Sequence, residues 1–226
     1  MIIFMLLFLL PGCESSLPPE SNNVDYTGQK DTITDIDGNV YKTIGIGSQI
    51  WMAENLMTTR LSDGRNIIPV PKITEWSRSD TISYCWYNND SISNSRIYGA
   101  LYNYYTVETG LLCPTGWHVP TDSEWRILIN FVGGKDVAAG KLKDLMFWSG
   151  PNVCYTHQYD FFARAGGIRR RFSSQYMEQG TRGYWWNSGD EKTIMSTNMI
   201  NNTTSVSITG RNRFDGCSVR CVKDKL

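Results

Sequence analysis

A chain of 226 residues with 22 basic and 22 acidic side chains has a formal net charge of +0, so it projects no global field toward a polyanion, and nucleic acid is excluded as an expected partner. Its length suits one medium domain or at most two small ones. The 20 glycines, 12 tyrosines and 8 tryptophans, with few long runs free of turn formers, favour short strands and tight turns over a helical bundle.

The uncharged apolar run Met1 to Leu10 is followed by Pro11-Gly12-Cys13. A helix of that length spans about 15 Å, half of a hydrocarbon core of about 30 Å, which is too short for a transmembrane anchor and suits a signal peptide over residues 1–12. Leu10-Pro11-Gly12-Cys13 resembles a bacterial lipoprotein box, which implies acylation of Cys13 and a partner in the envelope lipid. From Glu14 to Thr32 the chain is polar, with Ser15, Ser16, Pro18, Pro19, Asn22 and Asn23 and no apolar periodicity. Such a stretch buries too little surface to offset its ordering entropy, so 13–32 is expected to be a flexible tether and 33–226 one folded unit.

Asp35 to Ile44 reads as a strand pair joined at Asp37-Gly38-Asn39, because glycine and asparagine accept the positive φ of a tight hairpin. A second turn at Gly45–Ser48 leads to a third strand, Gln49–Met52. Ile67-Ile68-Pro69-Val70-Pro71 carries two prolines and is expected at an edge or in irregular structure. The clearest helix signal starts at Thr121, where Thr121 and Glu124 have the spacing of a capping box and Trp125, Leu128, Ile129 and Val132 recur as one apolar face. Gly133-Gly134 ends it, and a short helix is expected within 136–145. Beyond Pro151, glycine turns separate aromatic and β-branched segments, notably Gly183–Trp186, Ser205–Ile208 and Ser218–Val222. Helices lying between early and late strands argue for an α+β domain.

Six segments carry more than generic chemistry: Tyr41 to Leu56, Cys85 to Asp90, Tyr98 to Tyr104, Pro114 to Trp125, Gly183 to Ser188 and Ser218 to Asp224. In this order they resemble the Fibrobacter succinogenes major paralogous domain. The resemblance implies a bacterial cell-envelope protein, often a lipoprotein, without an established general activity, and the outer membrane is the location expected for this chain. It also implies a C-type lectin-like domain with short twisted antiparallel strands, one clear helix and long loops, a fold related to that of formylglycine-generating enzymes. Ala163-Arg164-Ala165, Cys154 and Cys217 depart from the family pattern as we read it.

With Cys13 acylated, Cys85, Cys113, Cys154, Cys217 and Cys221 leave an odd number of thiols. The preferred pairing is Cys113–Cys221 with Cys154–Cys217, and Cys85 competes for Cys221. A zinc site built from Cys217, Cys221 and His118 or His157 is disfavoured because no two compact ligand clusters occur, and neither metal nor cofactor is expected. His118, directly before the helix, is expected to cap local structure. Trp185, Trp186, Asn187, Asp190 and Glu191 combine rings that can stack on a sugar with groups that can bind its hydroxyls. Adjacent strand residues face opposite ways, so at least one of the two tryptophans is expected in the core. Arg169 and Arg170, within a basic run that includes Arg164, Arg171 and Arg182, are the candidates for binding anionic groups. The reading is a non-enzymatic envelope module that recognises a glycan or a surface protein; a structural envelope protein is the alternative.

Overall fold

The turn at Asp37-Gly38-Asn39 folds the chain back on itself as its residues require. In the computed structural model, which describes residues 25–150, 158–171, 175–189 and 193–225, it joins β1 (Lys30–Thr34) to β2 (Val40–Ile46). The Asp35 carboxylate accepts the backbone N–H groups of Asp37 and Asn39, both at 2.9 Å, and the Tyr41 hydroxyl at 2.6 Å, so one acid fixes the turn and ties it to the core. β3 (Gln49–Met52) pairs with β2, Ile44 opposite Trp51. Gly45 has no alternative: a Cβ there would lie 1.8 Å from the Tyr26 carbonyl oxygen. The strand begins at Lys30, inside the stretch expected to be tether, and Tyr26 and Gly28 already donate to the Gly47 and Gly45 carbonyls. The signal segment, Cys13 and the first part of the tether lie outside the described residues.

Next come β4 (Ile68–Pro69), α1 (Ile73–Trp76), β5 (Ser83–Cys85), α2 (Ser91–Tyr98), β6 (Leu101–Tyr102), α3 (Tyr104–Glu108) and β7 (Trp117–His118). β4 is an edge strand, as its proline demands. α4 (Asp122–Phe131) carries the expected capping box: Thr121 Oγ1 accepts the Glu124 N–H at 3.2 Å while Glu124 accepts the Thr121 N–H at 2.9 Å. Its buried stripe is Trp125, Leu128, Ile129 and Val132, as the spacing predicts. α5 (Ala138–Leu142), β8 (Ile168–Arg169), β9 (Tyr176–Met177), β10 (Arg182–Trp186), β11 (Met195–Ile200), β12 (Val206–Gly210) and β13 (Val222–Lys223) complete the order.

The described residues form an α+β fold with five α-helices and four separate open sheets, ordered β1-β2-β3-β13-β7, β10-β11-β12, β4-β5-β6 and β8-β9. This overturns the expectation of a C-type lectin-like domain with one clear helix. α5 is the short helix expected within 136–145, whereas the unexpected α1, α2 and α3 are four, eight and five residues long, too short or too polar to show an apolar 3.6-residue period. α2 and α3 are nevertheless capped, by Asp90 accepting from Ser93 N–H and by Asn103 accepting from Thr106 N–H.

The final segment joins the sheets. Gly216 bridges Arg169, Cys217 bridges Tyr102, Ser218 bridges Trp185, and Val222 pairs with both Trp51 and His118. Around it lies an aromatic core in which Trp125 sits 4.8 Å from Trp51, 6.1 Å from Phe161 and 6.3 Å from Trp185, centroid to centroid. Each such ring removes about 150–250 Å² from water, worth about 4–6 kcal/mol at 25 cal/mol/Å².

Candidate functional site

The sequence candidates separate sharply by burial. Trp185 and Trp186 are both 0 % exposed. They point to opposite faces of β10, as adjacent strand residues must, but both faces are covered. The Trp185 indole donates to Asn55 Oδ1 at 2.9 Å, and the Trp186 indole donates to the Tyr102 carbonyl at 2.6 Å with Tyr104 edge-on at 5.3 Å. Neither ring can offer a face to a sugar. Asn187 is buried as well: its amide donates to Asp122 Oδ1 at 2.6 Å and accepts from the Thr197 N–H and hydroxyl at 3.0 and 2.9 Å, fastening the start of α4 to β11. Asp190 and Glu191 lie outside the described residues.

Arg169 is wholly enclosed. Its guanidinium lies between the rings of Trp76 and Tyr176, at 4.6 and 4.9 Å, and donates to the carbonyls of Val70 and Pro71. It braces β4 and is not available to a ligand. Arg220 does the same elsewhere, donating to the Phe161 and Phe162 carbonyls and to Asn55 Oδ1. Burial, reinforced by nearby Arg164, pushes Arg220 down to about 9. Of the two arginine candidates only Arg170 reaches solvent, half-buried.

Among the thiols, Cys113 and Cys221 form a disulfide across 108 residues, the first of the expected pairings. Among the described residues Cys217 and Cys85 are free, buried thiols, and Cys154, the partner expected for Cys217, lies outside them. The two side chains belong to different core clusters, Cys85 beside the buried Arg169 and Tyr176. Burial pushes both thiols up, opposite to the shift that would activate them. With Cys221 in a disulfide, the zinc arrangement loses one ligand. Cys154 and His157 lie outside the described residues.

His118 shows what the sequence did not. Antiparallel pairing of β7 with β13 brings the C-terminal tail alongside it, and α4 begins four residues on. Its Nδ1 lies 2.6 Å from Asp224 Oδ1, and its Nε2 lies 2.9 Å from Glu124 Oε1, the same carboxylate that closes the capping box. The bond to Glu124, opposed by partial burial and aided by Asp224, raises His118 to about 9. Burial alone would raise Glu124, but His118 and the Thr121 N–H and hydroxyl outweigh it and bring the carboxyl to about 2. The trio is an ion-paired clasp at pH 7. Capping residues were legible from Thr121-x-x-Glu124, whereas Asp224, 106 positions from His118, was not.

Beside the clasp opens a groove of about 650 Å³ between α4, the start of β3 and the C-terminal tail. Tyr26, Gln29, Ser48, Glu124, Lys223 and Asp224 are among the residues that line it. It offers one aromatic ring, two amides, a hydroxyl and charges of both signs, the mixture associated with polar ligands.

The model of the Fibrobacter succinogenes major domain matches residues 44–223. The chain belongs to that family. No curated protein and no solved structure matches it. In this Fibrobacter succinogenes major domain the groove forms where the matched span starts and stops, since Ser48 lies near its beginning and Lys223 at its end, while Tyr26, Gln29 and Asp224 fall outside it.

Proposed function

We propose that this chain is a non-enzymatic recognition module of the bacterial cell envelope, held to lipid through an acylated Cys13, and that the groove beside α4 receives a glycan. The observation that carries the reading is the lining of that groove: the part-exposed Tyr26 ring next to Gln29, Ser48, Lys223 and Asp224. A sugar needs an apolar face to stack on and several hydrogen-bonding groups around its rim. Envelope location is supported by the run Leu10-Pro11-Gly12-Cys13 and by the Cys113–Cys221 bridge, since structural disulfides belong to oxidising compartments. A binding role is favoured over acid–base catalysis because both ring nitrogens of His118 are engaged by carboxylates.

A glycan array probed with the full chain, alongside Tyr26→Ala and Gln29→Ala, tests the reading. We expect saturable binding to a defined set of glycans, weakened about tenfold by either substitution with an unchanged melting temperature. No binding to any glycan would favour the structural-protein alternative. Mass spectrometry of the membrane-associated chain checks the lipid at Cys13, and Cys13→Ala is expected to release the protein from membranes.

A further inference from the structure

The His118 clasp decides which charges of the groove beside α4 remain free. The charged side chains that line the groove are Glu124, Lys223, Asp224 and Lys225. Both Glu124 oxygens are occupied, Oε1 by His118 Nε2 at 2.9 Å and Oε2 by the Thr121 N–H and hydroxyl, each at 2.9 Å. Asp224 Oδ1 is held by His118 Nδ1 at 2.6 Å. The imidazole is protonated on both nitrogens at pH 7, so one cation is shared between the two carboxylates. The lysines have no such partner: among the described residues neither ammonium group makes an ion pair or a hydrogen bond, and both residues are exposed. With His118 counted, the side chains at the groove carry three positive charges and two negative ones.

The backbone fixes where the two lysines stand. Lys223 pairs with Trp117, and the Asp224 N–H donates to the Gly116 carbonyl at 2.9 Å, so the chain is anchored at Lys223 and again at the residue before Lys225. The segment that carries Asp224 to His118 therefore also brings both ammonium groups to the groove. With the carboxylates drawn onto the imidazolium, an incoming anion meets two uncompensated cations and reduced repulsion from the acids. An ammonium is a compact point charge with three donors, so it accepts a planar carboxylate or a tetrahedral sulfate without the geometric demand of a guanidinium. Tyr26, Gln29 and Ser48 line the same groove and supply the ring, amide and hydroxyl that suit the uncharged part of a sugar.

We infer that the glycan received by this groove is acidic: an anionic group on the sugar, carboxylate or sulfate, is bound by Lys223 and Lys225, while His118 holds Glu124 and Asp224 and offsets their charge. The inference rests on the glycan reading of the groove and adds to it the class of sugar and the residues that select it.

A glycan array bearing uronic-acid, sialic-acid and sulfated oligosaccharides, each beside its carboxyl-reduced or desulfated counterpart, tests it with the full chain. We expect the best-bound acidic forms to be held at least tenfold more tightly than their neutral counterparts, by a margin that shrinks as salt is added. Lys223→Gln combined with Lys225→Gln should erase most of that margin, and because both side chains are exposed and without partners the fold is kept. Lys223→Arg combined with Lys225→Arg should preserve it. His118→Gln, which leaves Glu124 and Asp224 without their cation, should cut it several-fold. Tyr26→Ala should weaken acidic and neutral forms alike, since it acts on the sugar and not on its charge. If neutral forms bind as tightly as acidic ones, or if the margin survives in full in the lysine-to-glutamine double variant or in His118→Gln, the inference is overturned and the glycan reading of the groove stands. Absence of binding to any glycan overturns both.

Discussion

Helix α4 and the C-terminal segment Gly216–Asp224 meet at the His118 clasp, yet they are held by opposite means. α4 is locally determined: its cap, its first-turn acids and its apolar stripe all come from residues within eleven positions of Thr121. The C-terminal segment has only two residues in a strand, and its partners are Arg169, Tyr102, Trp185, Trp51 and His118, on all four sheets. Local signals specify an element, whereas remote contacts assemble several elements into one core. Damage to the segment should therefore cost more than damage to the helix cap.

The largest effect is expected at Arg220. Replacement by alanine leaves a cavity and removes the donors of the Phe161 and Phe162 carbonyls, a loss of about 3–5 kcal/mol in chemical denaturation. Cys113→Ser with Cys221→Ser should cost about 2–5 kcal/mol by the same measurement, because the bridge closes a loop of 108 residues. Thr121→Ala, which removes a purely local contact, should cost only about 1 kcal/mol. A larger loss from Thr121→Ala than from Arg220→Ala would invert the comparison.

The clasp itself provides the smallest and most specific test. His118 has a folded value raised to about 9, so its stabilising contribution is complete below its ordinary value near 6.5 and is lost as pH rises through 9. Glu124 is lowered to about 2, so its contribution is complete above about 4.5 and is lost as pH falls through 2. The clasp should contribute most between about pH 4.5 and 6.5. Because His118 is a third exposed, solvent screening reduces the effect to about 1 kcal/mol or less. Melting temperatures of wild type and His118→Gln across pH 5–10 should converge as the pH rises; a constant gap would show that His118 packs without carrying charge.

Several short elements were illegible for physical reasons. β11 reads Met-Ser-Thr-Asn-Met-Ile, with no apolar alternation, yet it is the central strand of its sheet. Its buried polar groups are satisfied by remote partners, such as Thr197 on Asn187 and Asn198 on Thr209, and no local pattern encodes those. The same holds for the candidate sites. The tryptophan pair was conspicuous because its residue types suit a sugar, but residue type does not report which faces other elements cover. Tyr26 and Gln29 fell within the segment read as tether.

By itself the sequence determined the family, the α+β class, the hairpin turn at Asp37-Gly38-Asn39, the capping box and apolar face of α4 and the short helix within 136–145, and it favoured the Cys113–Cys221 pairing over one with Cys85. These rest on residue types at short spacing, or on motif blocks whose order survives in the chain. Only the tertiary structure decided that α1, α2 and α3 form and that the described strands make four open sheets, that both tryptophans and Arg169 are interior, and that His118 is clasped between two carboxylates. Burial and ion pairing depend on which remote segments meet, and here that is set by the C-terminal segment bridging every sheet.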